Sequence, residues 1–71
     1  MKILYSPHAE KRMKQRSVSK EQVEDIVEFP NYTIKRGKEI EAYKKVDNKM
    51  IKVVYFKGEN YIKIITVYPL D

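Results

Sequence analysis

Apolar positions along these 71 residues follow two different periods, and the change falls at Pro30. Before it, hydrophobic residues recur at helical spacing. Ala9 and Met13 form one short stripe, and Val23, Ile26 and Val27 form another, both among charged neighbours. A short strand over Lys2–Tyr5 is expected to lead in. Ser6 then suits an N-cap and Pro7 the first helical position, which predicts a first helix from Pro7 to about Arg16. Ser17-Val18 breaks it. Ser19 opens a second helix, with Gln22 three residues on completing a capping box and Glu21 suiting the helix dipole. Phe29-Pro30 ends it, because the residue before proline is pushed out of the α region.

Beyond Pro30 the period becomes two. Tyr32–Arg36 reads as a strand ending at Gly37, and in the next strand Ile40, Ala42 and Val46 alternate with Glu41, Tyr43 and Lys45. Asp47-Asn48-Lys49 is a turn signal. Met50–Phe56 and Tyr61–Tyr68 are strongly β-prone and joined through Lys57-Gly58-Glu59-Asn60. Both are apolar on two faces: Ile51, Val53 and Tyr55 oppose Met50, Val54 and Phe56, while Ile65 and Val67 oppose Ile62 and Ile64. Such strands belong in the middle of a sheet, or where something covers the second face. Counting by two puts Thr66 on one face with Ile62, Ile64 and Tyr68. The expected architecture is α+β in the order (β)ααββββ, with two N-terminal helices packed on a four-stranded antiparallel sheet.

Composition narrows the picture. No linker, repeat or shift in composition divides the chain, so residues 1–71 are expected to form a single domain. Cysteine is absent and there is one histidine, which leaves no disulfide, no Cys-ligated zinc and no expectation of a metal or other cofactor. No apolar run approaches membrane-spanning length, and Met1–Tyr5 is too short for a signal-peptide core, so a cytoplasmic protein with no membrane partner is expected. The net charge of +5 is uneven: residues 1–16 carry +4, 17–29 carry −3 and 30–49 carry +3. A basic surface favours a polyanionic partner, and the acidic island confines that partner to particular faces.

Two groups of residues are candidates for chemistry. His8, Arg12 and Arg16 follow one another at four-residue steps, about 40° apart on a helical wheel. Histidine is the side chain suited by type to general acid or base work near neutral pH, so His8 would protonate a leaving oxygen or accept a proton from a 2′-hydroxyl. The arginines would grip a phosphate bidentately and stabilise charge building up on it. Equally, His8 supports the first helical turn and the arginines form surface ion pairs with Glu24 or Glu28. Thr66 and Tyr68 at the end of the last strand offer a hydroxyl pair for phosphate, or are simply good strand residues. Six tyrosines interleave with Lys35, Arg36, Lys44, Lys52 and Lys63, as on a platform for single-stranded RNA. Half-buried tyrosine in a small sheet also arises from packing alone.

Ser6-Pro7-His8-Ala9 with Arg12-Met13 and Gln15-Arg16, then Val18-Ser19 with Val23, and finally Ile64-Ile65-Thr66-Val67-Tyr68-Pro69, together resemble the DUF4258 family of small bacterial and archaeal domains. That family is similar to the wider RelE/ParE, barnase, EndoU and colicin-like ribonuclease fold group, in which helices precede a curved four-stranded antiparallel sheet. The resemblance implies a toxin-like, metal-independent endoribonuclease, or mRNA interferase, acting on RNA that includes ribosome-bound mRNA. It also implies a cyclic-phosphate product and an acidic antitoxin partner. His8, Arg12 and Arg16 would match the family's helix-one polar residues, and Thr66 and Tyr68 its terminal-strand ones. The chain lacks a second histidine, so Tyr68, Lys63 or Lys52 would have to partner His8. Two other readings stand beside this one: a non-catalytic nucleic-acid-binding module, and a protein-interaction domain that is antitoxin-bound or homodimeric.

Overall fold

The computed structural model describes residues 2–70. Strand β1 (Lys2–Tyr5) leads into helix α1 (Pro7–Arg16) and helix α2 (Lys20–Glu28). Strands β2 (Tyr32–Arg36), β3 (Glu39–Val46), β4 (Lys49–Lys57) and β5 (Tyr61–Leu70) follow. Among the described residues no helix is long and apolar enough to cross a membrane. The class is α+β, as expected, but the sheet has five strands rather than four and is mixed. Its order is β1-β5-β4-β3-β2, with β1 pairing in parallel beside β5 and the other pairs antiparallel. The two-faced apolar strands β4 and β5 are central.

Local chemistry accounts for the helix ends. The Ser6 hydroxyl accepts from the Ala9 N–H at 3.0 Å, and Pro7 fills the first helical position. At the far end Ser17 takes a left-handed conformation (φ 56°), and the Val18 N–H closes on the Met13 carbonyl at 2.9 Å. Met13 and Val18 are both buried, so an apolar contact accompanies this cap. The Ser19–Gln22 capping box is formed in both directions, at 3.1 and 3.0 Å. Asp47 and Asn48 both have positive φ (51° and 67°), as a two-residue turn between right-twisted strands requires.

Because β1 and β2 lie at opposite edges of the sheet, the two helices must carry the chain across one face between them. α1 packs on β5, and α2 on β3 and β4. Ala9, Met13, Val23 and Ile26 meet Ala42, Ile51, Val53, Tyr55, Ile62, Ile64 and Val67 in a single core. The other face of the sheet has no helix.

Simple alternation fails within β5. Tyr55 pairs with Ile64 but Val54 pairs with Thr66, so Ile65 is an extra residue on the β5 side. This bulge reverses the facing of everything after it. Ile62, Ile64 and Val67 therefore share the helix face, and Thr66 and Tyr68 face the other way. Period-two counting, which grouped Thr66 with Ile62 and Ile64 and set Val67 against them, is corrected by this extra residue. Ser6 anchors the same point: its N–H donates to the Ile64 carbonyl (3.0 Å) and its hydroxyl to the Ile65 carbonyl (2.9 Å). Pro69 is accommodated because β1 pairs only with residues 61–64, leaving that side of β5 without a strand partner.

Two substitutions test these supports by urea denaturation. Ile64→Ala, removing a fully buried side chain, should cost about 2–5 kcal/mol and bring the domain close to unfolding. Ser6→Ala should cost about 1–2 kcal/mol by losing both the cap and the bond to Ile65. No loss in Ser6→Ala would show that Ser6 does not hold the bulge.

Candidate functional site

The pairing register lays out the helix-free face in rows. Ile34, Glu41, Val54 and Thr66 stand side by side across β2, β3, β4 and β5, and Tyr32, Tyr43, Lys52 and Tyr68 form the next row. Glu41 is only 8% exposed although no helix lies over it. Its carboxylate accepts from Arg36 Nε at 3.1 Å and from Tyr43 Oη at 3.0 Å, and lies 3.4 Å from Lys52 Nζ. The Tyr43 ring stacks on Tyr32 with centroids 4.6 Å apart and planes within 10°. Lys52 Nζ sits between two phenol rings, 5.8 Å from the Tyr43 centroid and 5.3 Å from that of Tyr68. Each ring face offers negative quadrupole density to the ammonium. With no third helix available, the chain covers this face with its own long side chains.

Electrostatics follow from that geometry. Burial pushes the Glu41 carboxyl up, but hydrogen bonds from Arg36 and Tyr43 and the charges of Lys52 and Arg36 outweigh it and hold it below its usual value. Burial and the hydrogen bond to Glu41 push the Tyr43 phenol up, so it stays protonated and acts as a donor. Burial opposes the charged form of Lys52, while Tyr68, Tyr43 and Glu41 around it more than compensate and raise its pKa. On the helix side, burial and then Glu24 push Tyr5 up to about 12. The helix-free face thus holds a fixed anion ringed by cations and neutral phenols.

The helical candidates lie elsewhere. Arg12 is half-buried, whereas His8 and Arg16 are exposed. His8, Lys11, Arg12 and Gln15 line a shallow depression on the surface of α1. Arg16 borders a different one, with Ser17, Gln22, Val46 and Asp47. Among the described residues, no side-chain hydrogen bond or ion pair ties down His8, Arg12 or Arg16. Thr66 and Tyr68 project from the side of β5 opposite α1, so the helical strip and the strand hydroxyls do not face one another across one cleft. The basic residues also divide. Arg36, Lys52 and Lys63 share the helix-free face, while Lys35 and Lys44 pair with Ile40 and Ile51 on the helix face. Lys44 is engaged there by Asp25 at 2.7 Å. Among the described residues no cluster of three or more His, Cys, Asp or Glu side chains is placed to hold a metal ion.

Glu41 is the residue that sequence reasoning passed over as a site member, and Tyr43 entered only as one of the six tyrosines of a stacking platform. The signal was present in weak form: an acid and a tyrosine two apart on one strand share a face, and a lysine on the next strand meets them once the hairpin register is set.

Fold and site together define a small α+β domain with helices on one face of a mixed sheet and a cation–tyrosine array on the other. The chain belongs to the family described as a domain of unknown function, DUF4258, which matches residues 5–69. That span holds both helices, β2–β4 and nearly all of β5, and leaves out most of β1. No curated protein and no solved structure matches the chain.

The Glu41 network should show in acid stability. The folded carboxyl titrates below the ordinary 4.5, so its contribution is complete above that pH and is lost as pH falls through the lowered folded value. Thermal melts between about pH 3 and 7 should show a steeper acid limb for the wild type than for Glu41→Gln. Parallel limbs would mean that the ion pairs do not hold in solution.

Proposed function

We propose that this domain binds single-stranded RNA on the helix-free face of its sheet and cleaves it without a metal ion, as toxins of the RelE/ParE–barnase fold group do. The observation that carries the reading is the array of Lys52 between Tyr43 and Tyr68, with Tyr32 stacked on Tyr43 and Arg36 at the rim. Tyrosine faces accept unpaired bases, and the interleaved cations meet the phosphates between them. The net charge of +5 favours the same partner, and an acidic antitoxin would compete for the same face.

In the cleavage step the RNA 2′-oxygen attacks its own phosphorus and the P–O5′ bond breaks, leaving a 2′,3′-cyclic phosphate and a 5′-hydroxyl. Solvent water takes the proton leaving the 2′-hydroxyl, and the Lys52 ammonium on this face is the group that would return one to the departing O5′. Lys52 and Arg36 are the cations placed to stabilise charge on the phosphoryl oxygens. His8 is the one histidine available for proton transfer, and it lies on α1 rather than on this face.

End-labelled RNA incubated in EDTA tests the reading. Cleavage by the wild type, reduced about a hundredfold or more in Lys52→Ala and less in His8→Ala, would support it. The reverse order of effects would move the site to α1. RNA binding that weakens steeply with salt but produces no cleavage would leave a nucleic-acid-binding module instead. No binding at low salt, together with self-association in sedimentation, would favour a protein-interaction domain.

A further inference from the structure

One buried polar atom on the helix-free face has no partner. Thr66 is 9% exposed, and among the described residues its Oγ1 is the buried side-chain oxygen or nitrogen that makes no hydrogen bond. An unpaired buried hydroxyl is costly relative to a satisfied one. The bulge at Ile65 is what turns this side chain away from the core and onto the array. There it stands opposite Val54, diagonal to Lys52, and next along the face from Tyr68.

We propose that Thr66 Oγ1 and Lys52 Nζ form a phosphate subsite in which an entering phosphate group takes the place of Glu41 as counter-ion to Lys52. The proposal rests on the RNA reading only for the source of that phosphate. Three features point the same way. Lys52 is the looser of the two cations on Glu41, at 3.4 Å against 3.1 Å for Arg36. When Lys52 turns away, Glu41 keeps Arg36 and the Tyr43 hydroxyl, so no bare carboxylate is left buried. Lys52 has a flexible stem, and its side chain is 18% exposed, so its ammonium reaches an incoming anion without moving the backbone. Its departure from Glu41 opens the diagonal toward Thr66, whose hydroxyl then donates to a phosphate oxygen. Tyr68 beside it supplies a ring face for the adjoining base.

The test uses the full chain labelled with ¹⁵N and two probes: inorganic phosphate, and a 2′-O-methyl oligouridylate, which cannot undergo the internal attack. Both should shift the amides of residues 52, 54, 66 and 68. Thr66→Val should weaken phosphate binding about fivefold, the value of one hydrogen bond. Thr66→Ser, which retains the hydroxyl, should bind as the wild type does, and Lys52→Met should lose saturable binding. Lys14→Met, which removes the same charge from the exposed surface of α1, should leave the shifts in place. Shifts spread evenly over the surface lysines, or equal affinity in Thr66→Val and the wild type, would overturn the subsite. If Thr66→Val fails to fold, the contrast between Thr66→Ser and Lys52→Met decides: loss of binding in both, or in neither, overturns the subsite. Phosphate binding with the expected variant pattern but no oligonucleotide binding would overturn the RNA reading and leave the subsite. RNA cleavage unchanged in a folded Thr66→Val, with unchanged phosphate shifts, would do the opposite.

Discussion

Two hydrogen bonds from Ser6 to consecutive carbonyls of β5 hold the joint on which the rest of the architecture depends. At Ile64 and Ile65 the parallel pairing with β1 stops, α1 begins, and β5 gains its extra residue. An extra residue in one strand of a pair would otherwise leave a backbone carbonyl unsatisfied at the edge. Ser6 answers that carbonyl with its hydroxyl while its lone pair caps the helix. The result sets α1 over β5 and, in the same step, turns Thr66 and Tyr68 to the helix-free side. Core packing on one face and the facing of Thr66 and Tyr68 on the other meet at one local device.

The second face is covered differently from the first. Two helices cover one side of a five-stranded sheet, and among the described residues the strands' own side chains cover the other. The stacked Tyr32 and Tyr43 rings and the largely buried Lys52 side chain supply part of that cover. The cost is a largely desolvated carboxylate, Glu41, which persists because three donors converge on it. Buried ion networks on a surface are a poor route to stability, and the perturbed groups they create gather where proteins bind charged ligands. The helix-borne His8 and Arg16 lack any such support. They are exposed and free of side-chain partners among the described residues, so nothing in the fold pre-organises them.

The chain's own residues determined its local elements and their boundaries. Ser6-Pro7 and Ser19…Gln22 start the helices, Phe29-Pro30 ends the second, and Asp47-Asn48 turns the hairpin, because each acts on backbone groups within a few residues. The class and the central places of β4 and β5 were legible on the same grounds, and Thr66, Tyr68, Arg36, Lys52 and Lys63 were legible as polar candidates but not by face. What only the tertiary structure decided is which of those residues meet. β1 joined the sheet through a pairing more than fifty residues away, which no local pattern encodes. The bulge at Ile65 overrode period-two counting, and Ser6, whose hydroxyl bonds to it, is 59 residues distant. Glu41 read as an ordinary solvent-facing acid until the hairpin register set Lys52 beside Tyr43. Local chemistry chooses helices and strands; long-range register chooses their faces, and on this sheet the face is what makes the site.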